Sequence, residues 1–423
     1  MRHATILWGQ SVVIVVVVVV LVAGLATNLR AADDGGQQLR AMGPRGLAMV
    51  LERYDAQIRD HQNDDPEWKR ISALIDAVAG QKDAYASRLY WYTDFDAAKS
   101  AARESGKPIL SLRLLGNLDT ELSCANSRFF RTTLYCNTEV SNYLRENFVL
   151  HWKSVRPVPK ITIDFGDGRK IERTITGNSI HYILTPDGRP IDAMPGLYSP
   201  AAFVRGLKSA QAAALDFAKN PNEQRLRAYH TDRLAAIQGQ MVADMKAVGA
   251  IATVLAAPPQ GAAVPAAKAD LRTATKSFVE RPMVRGIAAS PIPAIDDALW
   301  AEIAALHAEN ATLDQASLQL IRAKHPSARE AGKRAVEKRL VEDPMLRVIA
   351  NLRRSIAEDT VRNEYMLHPR LHEWFIASVG PMDLETLNER VYAELFLTPS
   401  SDPWLGLAPD DAFAAIEGGG RTQ

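Results

Sequence analysis

Cysteine is scarce: two residues in a chain of 423, which rules out a disulfide framework and a thiolate-based four-ligand zinc site. Neither cysteine opens a C-x-x-C-H run, so c-type haem attachment is excluded as well. An excess of one charge is also lacking. Fifty Lys+Arg against 49 Asp+Glu leave a net of +1, which removes any global argument for a nucleic-acid partner. The chain contains no G-x-x-x-x-G-K, G-x-S-x-G or H-E-x-x-H run, so the phosphate loop, the nucleophile elbow and the zincin helix all lack their signatures. No cofactor and no small-molecule ligand can be named from the sequence.

Long hydrophobic runs are missing everywhere except at the start. After Arg2 and His3, residues 4–29 carry no charge, and the centre, Val12 to Val22, is mostly valine. Ile6 to Ala26 reaches the length needed to span a bilayer if Gly9 to Ser11 are tolerated. Gly24 and Ala26 equally offer small residues for a signal peptidase. The length of the run favours an uncleaved transmembrane helix over a signal peptide. In either case the basic N-terminus favours export of the residues after Arg30, to the periplasm or another extracytoplasmic space, with the membrane as one partner.

The remaining residues are expected to fold, since 47% are hydrophobic. Residues 31–47 are a polar, glycine-rich spacer, and 48–88 a helical lead-in whose second helix opens on Asp65-Pro66-Glu67. Trp68, Ile71, Ile75 and Val78 form its apolar face. Residues 89–219 alternate between helix and strand, with period-2 segments on both sides of Gly166-Asp167-Gly168 and of Pro186-Asp187-Gly188 that read as two β-hairpins. This pattern predicts an α/β domain, a mixed sheet flanked by helices. Strand signals then stop. A long helix is expected over 220–255, a Pro/Ala linker over 256–269, an all-α region over 270–397 and an extended tail over 398–423.

The α/β block carries three recognisable pieces: Gly106-Lys107-Pro108-Ile109-Leu110 closing a helix and opening a strand, the run Glu139 to Trp152, and Tyr182 to Ile191 around the second turn. On these it resembles a thioredoxin-like domain, most similar to that of spermatogenesis-associated protein and its bacterial relatives. The resemblance implies a C-x-x-C helix start, and the spacing back from Val149 puts Cys124 and Ser127 at its two cysteine positions. It also implies a substrate-docking edge at Asn178 and Ser179, with Ser179 where the family has a cis-proline. A cis bond before a residue other than proline costs about 2.5–4 kcal/mol, so a trans bond is expected there. With a serine in place of the second cysteine, the usual intramolecular disulfide cannot form.

Read from physics alone, a thiol at a helix N-terminus near Arg128 and Arg131 would have a lowered pKa, while a half-buried cysteine would simply pack as a small apolar residue. Cys136 would resolve a mixed disulfide only if the helix breaks, because a continuous helix would hold the two sulfurs about 18 Å apart. His368 and His372 have the four-residue spacing of two ligands on one helical face. Pro369, however, prefers the first helical position and leaves His368 at or before a cap. With no third ligand identifiable, capping and packing are favoured and no metal is expected. His151 and His181 read as structural histidines, and the stripe from Leu226 to Val248 as core. Trp404 reads as part of a tail folding back on its own domain. The expected function is protein binding or assembly by a degenerate thioredoxin-like domain with an unknown protein partner. The alternative is monothiol redox exchange through Cys124, with Ser127 beside it.

Overall fold

The computed structural model describes residues 31–175, 177–250, 297–325, 344–405 and 407. Helices α1 (Ala31–Ala41), α2 (Pro44–Arg53) and α3 (Pro66–Ala79) form a small N-terminal layer. Asp65 caps α3 by accepting from Glu67 N, and the face Trp68, Ile71, Ile75 and Val78 is buried as its spacing predicts. The polar spacer expected over 31–47 is instead largely helical. Arg40 explains part of the difference: its guanidinium donates to the carbonyls of Val78 and Trp91 and so holds α1 against the layer.

The α/β block follows in the expected order. It comprises α4 (Phe95–Ser105), β1 (Ile109–Leu115), α5 (Ala125–Phe129), α6 (Thr138–Asn147), β2 (Val149–Arg156), β3 (Lys160–Asp164), β4 (Lys170–Thr174), β5 (Ser179–Leu184), β6 (Pro190–Pro195) and α7 (Pro200–Lys219). The sheet order is β2-β1-β5-β6. β1 and β2 run parallel, pairing Ile109 with Val149 and Arg113 with Lys153. β5 is antiparallel to β1, and β6 antiparallel to β5. Both expected hairpins form, β3–β4 closing a separate two-stranded sheet. β1, β5 and β6 are buried along their whole length, because helices cover both faces.

The helical region contributes α8 (Glu223–Ala247), α9 (Asp297–Leu306), α10 (Gln315–Lys324), α11 (Pro344–Arg362), α12 (His368–Ala377) and α13 (Leu384–Arg390). A π-helical turn, Asn363–Leu367, joins α11 to α12 into one run, where the sequence predicts two helices parted by Pro369. The turn re-registers the backbone ladder next to a residue with no N–H to give, and the helix survives its proline. One hydrophobic core runs from the sheet residues Ile180 and Tyr182 through Ile237 to Trp300, Leu371 and Tyr392, so the helical region shares the core of the α/β block.

Among the described residues no helix is long and apolar enough to cross a membrane. The expectation of a transmembrane helix and a membrane partner is corrected on that ground; the hydrophobic run on which it rested lies outside the described residues. The Pro/Ala linker and residues 328–341 of the expected all-α region also lie outside them.

Candidate functional site

The thiol corner starts at the end of β1. Cys124 N donates to Leu115 O at 3.2 Å, which turns the chain from the strand into α5, and Cys124 itself occupies the N-cap position. The predicted helix start is therefore present, but the thiol is completely buried. Its Sγ reaches Ser127 Oγ at 3.5 Å, while the Ser127 hydroxyl is engaged with Ser123 Oγ at 2.6 Å and Cys124 O at 2.9 Å. Burial pushes the Cys124 thiol up, and the hydrogen bonds from Ser127 and Leu115 offset only part of that. The two arginines give little help. Arg128 turns to Ser123 O, and Arg131 is buried against Glu121 O and Asp83. A low-pKa thiolate at this helix start is thus not what the structure places there. Cys136 is also buried and free, bonded to Thr132 O at 2.9 Å, and pushed up to about 12 by burial.

The edge opposite the thiol is occupied. Asn178 Nδ2 donates to Thr398 Oγ1 at 2.9 Å, and Tyr392 OH donates to Asn178 O at 3.1 Å. Ser179 is buried, its peptide bond is trans, and its carbonyl accepts from Gly196 N. Residues 398–402 are pinned over this corner by Arg156 at the end of β2. Its guanidinium donates to Thr398 O at 2.7 Å, Pro399 O at 3.2 Å and Asp402 O at 3.1 Å. α13 is held nearby through Arg113 Nη2 to Glu385 Oε1 at 2.9 Å and Tyr182 OH to Asn388 Oδ1 at 3.2 Å. The Tyr392 phenol is close enough to Cys124 for the thiol to raise its pKa further, after burial. The chain's own C-terminal segment therefore packs against Asn178 and the end of β2. At the described start of the tail Leu405 is buried, while Trp404, on which the fold-back reading rested, is exposed.

A second polar centre lies between the sheet and the helical region. Asp192 sits on edge strand β6 with its side chain on the same face as Met194, towards α8 and α12. α8 packs Leu226, Ile237, Met241, Met245 and Val248 of the expected stripe against the core, and its most buried positions are His230, Ile237 and Asp244, one every two turns. His230 Nδ1 lies 2.9 Å from His372 Nδ1, and Asp192 Oδ2 accepts from Tyr229 OH at 2.5 Å. His368 Nδ1 lies 2.9 Å from Glu364 Oε2, and its Nε2 is 3.8 Å from Asp192 Oδ1. Arg233 approaches Glu364 at 3.8 Å.

Burial pulls His230 and His372 down to about 4 and about 3, so both are neutral imidazoles. Burial works the same way on His368, but Glu364 and Asp192 outweigh it and raise the group to about 9. Asp192 is held below the usual carboxylate range because the histidines overcome its burial. Among the described residues, Asp192, His368 and His372 are the group of three whose potential ligand atoms all lie within 4.8 Å of one another.

This overturns the assignment of His368 as a capping residue. The π turn keeps it in the helix, and the missing third donor comes from β6. The sequence signal available for this was the recurrence of Glu364, His368 and His372 every four residues. A cleft of about 480 Å³ opens beside the centre, lined by Tyr198, Arg205, Arg233, His307, Glu364 and Tyr365. At its far side Asp244 Oδ2 accepts from Tyr365 OH at 2.5 Å and lies 2.5 Å from His307 Nε2. His151 and His181 are structural in their contacts, bonded to Ser111 Oγ and Tyr135 OH and pulled down to about 3 by burial. Comparisons with family models, with curated proteins and with solved structures found no match to this chain.

Proposed function

We propose that this chain is a thioredoxin-like protein that works by binding or assembly and not by dithiol exchange. What supports the fold reading is the sheet order β2-β1-β5-β6, with a parallel first pair and an antiparallel second, together with a helix that starts at a cysteine just after β1. The single observation that carries the functional reading is the occupied edge. Asn178, at the position such a fold uses to dock substrate, is bonded by Thr398 and Tyr392 of the same chain. A surface adapted to hold a peptide here holds the protein's own C-terminal segment. Export is proposed with it, on the charge-free N-terminal run alone.

Monothiol exchange through Cys124 has two observations against it: the buried sulfur, whose burial pushes the thiol pKa up, and a Ser127 hydroxyl already bonded to Ser123. Alkylation of the full chain separates the two readings. Both thiols are expected to stay unmodified until denaturant is added, and no mixed disulfide is expected to form with a small disulfide probe. Rapid native alkylation of Cys124, with a thiol pKa below the ordinary ~8.5, would refute the binding reading.

A further inference from the structure

We infer that Asp192, His368 and His372 form a binding site for one divalent transition-metal ion of the zinc or ferrous type. The state of Cys124 does not bear on this site. Its basis is the hydrogen-bond network around the three side chains. His230 Nδ1 and His372 Nδ1 share one hydrogen bond at 2.9 Å, so one of the two rings donates its Nδ1–H to the other. With His372 as that donor its Nε2 carries the lone pair, and this nitrogen is buried with no hydrogen-bond partner. His368 Nδ1–H donates to Glu364, and its Nε2 is buried without a hydrogen-bond partner, 3.8 Å from Asp192 Oδ1. Two imidazole nitrogens and one carboxylate oxygen thus converge, and each histidine is oriented through its other nitrogen by a dedicated neighbour. That is the outer-shell arrangement by which metal-ligating histidines are held.

The donor set selects the metal class. Two nitrogens and one oxygen with no thiolate suit zinc or ferrous ion better than copper(I), calcium or magnesium. The competing arrangement is a protein-only ion pair with a proton on His368 Nε2 between Asp192 and Glu364, and Arg233 nearby. It balances the charge, but it leaves His372 Nε2 buried and unsatisfied. Metal binding displaces the His368 Nε2 proton to solvent, while Nδ1–H continues to donate to Glu364. Glu364 also lines the cleft, which gives an ion a route to the neighbourhood of the site.

The test uses the full chain, stripped by a chelator, dialysed and loaded with Zn²⁺ or, anaerobically, Co²⁺. One Zn²⁺ per chain is expected by elemental analysis, with Co²⁺ showing the visible absorption of a protein-bound ion. Asp192→Asn and His372→Ala should each abolish stoichiometric loading. Glu364→Gln and His230→Gln, which alter only the orienting partners, should weaken binding on the order of 10–100-fold. Far-UV circular dichroism establishes that each variant is folded. If Asp192→Asn fails to fold, the graded loss in Glu364→Gln, at a partly open residue, decides the matter. Substoichiometric zinc in the wild type overturns the inference, as does loading that survives both Asp192→Asn and His372→Ala.

Discussion

Arg156→Ala should unlatch the C-terminal segment from the thiol corner. The guanidinium makes three hydrogen bonds to the carbonyls of Thr398, Pro399 and Asp402, at 2.7–3.2 Å. A buried hydrogen bond to a charged group contributes about 1.5–3 kcal/mol, but Arg156 is only partly buried and water can replace part of each bond. Taking about 1 kcal/mol for each gives about 3 kcal/mol for the latch, or on the order of 100-fold in the population of the opened segment. The bonds from Tyr182 and Arg113 that hold α13 remain, so the rest of the fold should persist. The assay is the rate of native alkylation at Cys124, read by mass spectrometry of its peptide, under conditions where opening is fast relative to the chemistry. Cys136 is the internal reference, because it is buried against Thr132 and Ser317, away from the latch. The expected result is a roughly 100-fold rise at Cys124 with little change at Cys136. Equal acceleration at both thiols would mean global unfolding, and an unchanged rate at Cys124 would mean that residues 398–402 are not its cover. Either result refutes the latch.

Gly196→Ala should destabilise the junction of sheet and helices by about 2 kcal/mol or more, because it puts a side chain at a left-handed backbone position. Gly196 has φ +78°, and a Cβ there would lie 2.4 Å from Asn363 Nδ2, which donates to Leu197 O. Chemical denaturation reads the loss, and a cost below about 0.5 kcal/mol would show that Asn363 yields freely. Asp314 should make the docking of α10 acid-sensitive. Burial works to raise its pKa, but bonds from Ser317 and Thr138 prevail and hold the group below the usual carboxylate range. With the folded pKa depressed, its stabilisation is fully present above the unfolded value of about 3.9 and is lost as pH falls through the folded pKa. Asp314→Asn should flatten the stability–pH curve in that acid window, and an unchanged curve would remove Asp314 from the account.

Much of the fold was legible because it is local. Asp65, Asp94 and Asn137 cap the helices they precede, and the Gly166–Gly168 and Pro186–Gly188 turns fix both hairpins. The alternation of helix and strand then leaves few sheet topologies. The sequence also located the thiol corner, but not its condition. A helix start with two nearby arginines predicts an activated thiol, and only packing could show both guanidinium groups bonded to other partners and the sulfur sealed. Spacing likewise put His368 and His372 on one face, while Pro369 argued against it. The π turn settled that conflict, because it shifts the backbone ladder without changing composition.

By itself, then, the sequence determined what short-range rules can reach: caps, turns, strand alternation and the order of the elements. The tertiary structure decided which polar groups meet. Asp192 lies on an edge strand and His230 on a helix whose apolar stripe masked it, and neither has a local pattern pointing to His368 or His372. Burial of a polar side chain is tolerated only beside a partner, and when that partner is distant in the chain nothing in the neighbouring residues records it.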